Sequence, residues 1–153
     1  MKDKKKQTFV YHGLGFPITL INTPMRKVFG EWIIDIDMTE LQLVVLKSLI
    51  YESTRLTKDE LRFIRKFLVM TTTEFGNTFG VSHVAVLQWE KGQRRISPAI
   101  ELYIRLYVLN HLCAKDKEFR SLYNTISLEQ LSKAKAEKVN LLEIDASKDL
   151  KVA

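Results

Sequence analysis

The stretch MTTTEFGNTFGVSHVAVLQWEKGQRR, residues 70–95, constrains the fold of this chain more than any other. Thr71-x-x-Glu74 is a capping box that opens a short helix. Gly80 ends that helix, because a left-handed residue closes a helix with least strain when it has no Cβ. Ser82 then caps a second short helix. Gly76 falls inside the first one, where glycine costs about 1 kcal/mol relative to alanine. That cost is understandable if the second helix crosses so closely that a side chain would collide. Phe75, Phe79, Val81, Val86 and Trp89 supply the inward faces, which leaves His83, Val84, Leu87 and Gln88 pointing away. Two short helices with this turn and crossing form a helix-turn-helix, whose second helix fits the major groove of DNA.

The flanking sequence supplies more helices. Leu41, Val44, Val45, Leu46, Leu49 and Ile50 recur at helical spacing after a capping box at Thr39-x-x-Gln42. Thr57-x-x-Glu60 opens another helix, with Leu61, Ile64, Phe67 and Leu68 on one face. Ser97 followed by Pro98 marks a further helix start, with Ile100, Tyr103, Ile104, Tyr107, Val108 and Leu112 as its apolar positions. Short helices are expected over 116–123 and after Ser127-x-x-Gln130. Beyond about Ala136 the pattern fades into a loosely held tail with a short strand at NLLEI.

Residues 8–36 read differently. TFVY, FPITLI, MRKVF and EWIIDI are short, rich in β-branched and aromatic residues, and interrupted by Gly13, Gly15, Pro17, Asn22, Pro24 and Gly30. So small a strand-rich piece must pack on another element or chain. The expected fold is therefore mainly α, with a small amino-terminal β-rich module over 1–37. A helical domain follows over 38–124, with the helix-turn-helix at 71–90, and a carboxy-terminal helix and tail fill 125–153.

Composition excludes several classes. The chain has 153 residues, 46 % hydrophobic and 27 % charged, as expected for a globular protein. No apolar run approaches the roughly 20 residues of a spanning helix. The basic start MKDKKKQTFVY has no apolar stretch behind it and does not read as a secretory signal. Cys113 is the single cysteine, reads as a small buried hydrophobe, and fits a reducing cytoplasm. The net charge of +6 favours an anionic partner. Its excess lies in residues 1–30, with six basic and one acidic side chain, and in 54–95, with eight and four.

With those motifs in place, residues 57–112 resemble the five-helix Xre/Cro/lambda-repressor type of DNA-binding domain. LRFIRKF, the 70–98 segment and the apolar helix after it stand in that family's order and spacing. The matching positions are Arg65, Phe75, Gly76, Gly80-Val81-Ser82, Val86 and Trp89-Glu90-x-Gly92. The resemblance implies that His83, Val84 and Gln88 face bases, with Gln88 suited to adenine and Val84 to a thymine methyl. It implies that Thr72, Thr73, Ser82, Lys91, Arg94 and Arg95 contact phosphate. Arg65 and Glu90 are expected to form a structural ion pair, with Gly76, Gly80 and Trp89 also serving the architecture. Thr72 stands where the family often carries a phosphate-touching glutamine, so that contact would have less reach.

The stretch YHGLGFPITLINTPMRKVFGEWIIDIDMTELQ resembles the connecting region of MqsA-type antitoxins, in which a small module precedes an Xre-type domain. Their zinc site of paired Cys-x-x-Cys units is absent here, since only Cys113 exists. The resemblance implies a dimeric repressor of a palindromic operator, with a toxin protein as second partner. A phage-type or stand-alone regulator without a toxin is the alternative. No cofactor, metal or membrane is expected. Nor is catalysis: His12, His83 and His111 are widely spaced, GLG at 13–15 lacks the later glycine of a dinucleotide fingerprint, and Asp35 and Asp37 read as solvated or capping carboxylates.

Overall fold

The computed structural model describes residues 4–112, 117, 120–122, 128–134 and 141–150. The chain has a mixed fold, a small amino-terminal β module followed by a mainly helical region. It divides into two compact units, residues 1–46 with 139–153, and residues 47–138.

The first unit is built on β1 (Lys4–Tyr11), β2 (Ile18–Val28) and β3 (Glu31–Ile34), joined in antiparallel order β1-β2-β3. The segments FPITLI and MRKVF, expected as separate strands, are one strand. The interruption at Asn22 and Pro24 is absorbed as an irregularity rather than a break. Asn22 takes a left-handed φ of 52° and its N–H donates to Thr8 Oγ1 at 3.1 Å, where the β1 register shifts. Pro24 lacks a donor, but its carbonyl accepts from the Asp35 N–H at 2.8 Å. The tail returns to this sheet: β4 (Glu143–Asp145) pairs in parallel with Thr19–Ile21 of β2, so the strand expected at NLLEI is present, displaced toward its end. Phe16, Ile18, Leu20, Met25, Ile36 and Ile144 are among the buried side chains of this unit.

Helix α1 (Met38–Tyr51) does not start at the expected Thr39 box. Asp37 Oδ1 accepts the N–H groups of Thr39 (2.9 Å) and Glu40 (3.2 Å), so the carboxylate just before the helix caps it. Asp35 meets Arg26 at 3.6 Å, which accounts for both members of that carboxylate pair.

The second unit carries α2 (Lys58–Phe67), α3 (Thr72–Phe79), α4 (His83–Glu90), α5 (Pro98–His111) and α6 (Leu128–Lys133); α7 (Ala146–Asp149) belongs to the first unit. Thr57 and Glu60 form a full reciprocal capping box on α2, and Ser97 caps α5 with Pro98 in its first turn. Inside α2 it is Phe63 that is buried with Leu61 and Ile64, while Phe67 is half-buried. The buried face of α5 is also rotated from the apolar reading. Ile104, Val108 and Leu109 are buried, but so are Glu101 and Arg105, whereas Tyr103 is exposed.

The charged pair inside that face has a definite job. Arg105 donates to the carbonyls of Ile50 (3.2 Å), Thr54 (2.7 Å) and Glu52, at the end of α1 and in the turn after it. Glu101 accepts from Arg105 (3.0 Å), Arg55 (3.0 Å) and the Leu56 N–H (3.1 Å). Burial lowers the pKa of Arg105, and the Glu101 carboxylate opposes that shift. Cys113, most of the helix expected over 116–123 and the cap at Ser127 lie outside the described residues.

Candidate nucleic-acid interface

The α3–α4 pair is built from its turn outward. Thr71 Oγ1 accepts from the Glu74 N–H at 3.1 Å and starts α3. Gly80 ends it at φ 72°, and the Val81 N–H returns to the Gly76 carbonyl at 2.9 Å. Ser82 Oγ then accepts from the Ala85 N–H at 3.1 Å and starts α4. At Gly76 a Cβ would lie 2.6 Å from the Val81 carbonyl oxygen and 3.3 Å from the His83 nitrogen. The backbone of the turn and the first residue of α4 therefore occupy the space a side chain would need.

Packing fixes which face of α4 remains free. Ala85, Val86, Trp89 and Glu90 are buried. Below them Phe75 meets Phe79 edge-on at 4.7 Å, and Phe79 meets Tyr103 and Tyr107 at 5.3 Å each. These aromatic contacts draw on the outer tyrosines of α5 and hold α3 against it. The end of α4 is tied to α2: Arg65 Nε lies 2.8 Å from Glu90 Oε1, and Arg62 donates to the Glu90 carbonyl at 3.2 Å. Arg65 also reaches the Met70 carbonyl at 2.9 Å, closing the link between α2 and α3.

His83, Val84 and Leu87 are exposed and Gln88 is half-buried, all on the side of α4 away from that packing. Thr72 is half-buried and Thr73 exposed at the start of α3. Ser82 is exposed, but its hydroxyl oxygen is engaged as the cap of α4. After α4 the chain turns at Gly92 (φ 73°), with the N–H groups of Gln93 and Arg94 returning to the Gln88 carbonyl at 2.9 and 3.3 Å. This turn leaves Lys91, Arg94 and Arg95 exposed just past the helix. Arg94 and Arg95 also line a cleft of about 280 Å³ with Ser82, Trp89 and Ser97. The first turns of α4 and α5 both border that cleft, so it combines two guanidinium groups with the positive ends of two helices.

The arrangement presents a short rigid helix with mixed polar and apolar side chains, bordered by three cations. Sequence reading alone missed the cleft, because its lining comes from residues 81 to 100 brought together by the turn at Gly92. Among the described residues no group of three or more His, Cys, Asp or Glu is placed to hold a metal ion. No helix among them is long and apolar enough to cross a membrane. No protein-family model, curated protein or solved structure matches the chain.

Proposed function

We propose that this chain is a sequence-specific binder of double-stranded DNA that acts as a transcriptional repressor, with α3 and α4 as the helix-turn-helix of a five-helix Xre-type domain. The observation that carries this reading is the exposed face of α4. His83 and Val84 are exposed and Gln88 half-buried beside them, while Lys91, Arg94 and Arg95 flank them. An α-helix fills the major groove, where a glutamine can pair with adenine and a valine can touch a thymine methyl. The cations past α4 suit phosphate, which orients the protein without reading sequence. A homodimer on a palindromic operator fits this class, since two-fold symmetry in the protein is matched by two half-sites.

The test is fluorescence anisotropy with the DNA upstream of the chain's own gene. Gln88→Ala is expected to cost about 1–3 kcal/mol on the cognate site and to relax discrimination at one base pair. Arg94→Ala is expected to weaken all sequences about equally. A uniform loss from both substitutions would remove base reading from Gln88, and sequence-blind binding across roughly 50–200 mM salt would reduce the chain to a nonspecific binder. The resemblance of the amino-terminal half to MqsA-type antitoxins adds a second task, neutralising a toxin by protein contact. Co-purification with the product of an adjacent gene tests it; if that product does not bind, the stand-alone regulator is the better reading.

A further inference from the structure

The tip of the β2–β3 hairpin is built against its own local preference. Phe29 and Gly30 form a two-residue turn between the paired residues Val28 and Glu31, with φ values of 49° and 83°. A turn with both central residues left-handed favours Asn-Gly or Asp-Gly, because a bulky side chain there is crowded by its own backbone. Phe29 accepts that crowding and gains no packing in return, for its side chain is fully exposed. Strained residues of this kind recur where a side chain must be presented to something outside the fold.

The ribbon behind the tip is basic. Lys4 lies directly opposite Arg26 across the strands, and Lys27 opposite Trp32. Like charges facing each other cost a sheet stability, and at this pair only Arg26 is offset, by Asp35 at 3.6 Å. Lys5 Nζ sits 4.3 Å and Lys27 Nζ 6.0 Å from the centre of the Trp32 ring, which gathers both ammonium groups on one face of the ribbon. Four cations therefore surround a hairpin whose own carboxylates are Glu31 and Asp35, the latter engaged with Arg26.

We propose that this hairpin is a second duplex contact, in which Phe29 enters a groove as an apolar wedge and Lys4, Lys5, Arg26 and Lys27 engage the flanking phosphates. The inference rests on the DNA-binding reading above and adds to it a site outside α3 and α4. An exposed aromatic tip between cations has the two parts such a contact needs: a side chain that can lie against or between bases, and charge that releases counterions from the backbone. The occupant is DNA rather than an apolar protein groove because the cations lie on both faces of the ribbon, where an apolar groove would have to desolvate them.

Anisotropy titrations of the full chain on the duplex that the wild type binds, repeated across a salt series, test this. Phe29→Asn places the residue that the turn prefers at that position, so the fold is kept and its melting temperature holds or rises. Its affinity is expected to fall roughly five- to hundredfold with the salt slope unchanged, the range typical of removing one aromatic side chain that stacks on a base. Replacing Lys4, Lys5, Arg26 and Lys27 together by glutamine is expected to lower the slope of log K against log salt by about 0.9 for each phosphate no longer neutralised. Wild-type affinity in Phe29→Asn, or an unchanged salt slope in the glutamine variant, overturns the proposal. If those variants bind normally while Gln88→Ala loses discrimination, only the hairpin contact fails. If the wild type binds no duplex at all, the proposed function fails with it.

Discussion

Replacing Glu101 by glutamine isolates a buried charged cluster of the helical unit. The substitution keeps the shape of the side chain and removes its charge. In the native fold that carboxylate accepts from Arg55 and Arg105 at 3.0 Å each and from the Leu56 N–H at 3.1 Å. Glu101 and Arg105 are wholly buried and Arg55 nearly so. Breaking a buried pair from one side typically costs about 3–5 kcal/mol, since the surviving charge remains desolvated. Here two such charges survive, and glutamine turns an N–H₂ group toward at least one of them. The upper part of that range is expected, a large fraction of the roughly 5–15 kcal/mol that holds a domain folded. For a chain of this size, about 3–5 kcal/mol corresponds to a fall in melting temperature of roughly 6–20 °C. Urea unfolding followed by circular dichroism measures it directly. Arg55→Gln made in the Glu101→Gln background should cost clearly less than in the wild type, because its partner is already gone. A loss below about 1 kcal/mol for Glu101→Gln, or strict additivity of the pair, would refute the claim that this buried cluster ties α5 to the segment after α1.

Two further substitutions address the backbone. Gly76→Ala puts a Cβ 2.6 Å from the Val81 carbonyl oxygen, so the turn must move; a loss of about 1–3 kcal/mol in urea unfolding is expected and, on the proposed function, weaker DNA binding because α4 shifts with the turn. Val69, 86 % exposed and held at φ 55° where α2 ends, is a β-branched residue in a left-handed position. Val69→Asn should therefore raise stability by about 1 kcal/mol, seen as a higher melting temperature, and a decrease would refute the claim that the left-handed backbone at Val69 is strained.

What was legible in the sequence was local chemistry with one geometric solution. Thr57, Thr71, Ser82 and Ser97 all cap helices because a short side-chain oxygen before an apolar-periodic run has few other uses. Gly80 and Gly76 were readable for a similar reason, one through its φ and the other through the space beside it. The failures share a cause as well. Thr39 lost to Asp37 because two oxygen-bearing residues competed for the same free N–H groups, and nothing in the spacing ranks a carboxylate against a hydroxyl. On α5 an apolar count favours Tyr103 over Glu101 and Arg105. Those two are buried only because Arg55 and the carbonyls of Ile50, Glu52 and Thr54 converge on them from sequence positions about 50 residues away. The continuity of β2 through Pro24 likewise depends on partners, Lys6 on one side and Asp35 on the other, that a single-strand reading does not contain.

Folding also sorts charge in a way that the sequence total conceals. Residues 54–95 hold eight basic and four acidic side chains, a modest excess. Two of the four acids, Glu60 and Glu90, are buried, and Asp59 is half-buried, which leaves Glu74 as the exposed carboxylate of this segment. On the basic side Arg55 is buried and Arg65 turns inward to Glu90, but Lys58, Lys66, Lys91, Arg94 and Arg95 are exposed. Within residues 54–95 the surface thus carries five exposed cations against one exposed carboxylate. Glu90 is consumed in holding α2 to α4 and Glu60 in capping α2, and the same interactions that fix the frame leave its positive charge unneutralised. A field made this way is inseparable from the fold. Unfolding returns Glu60 and Glu90 to solvent, so attraction for a polyanion should weaken as the structure opens, and anionic ligands should in turn stabilise the folded chain.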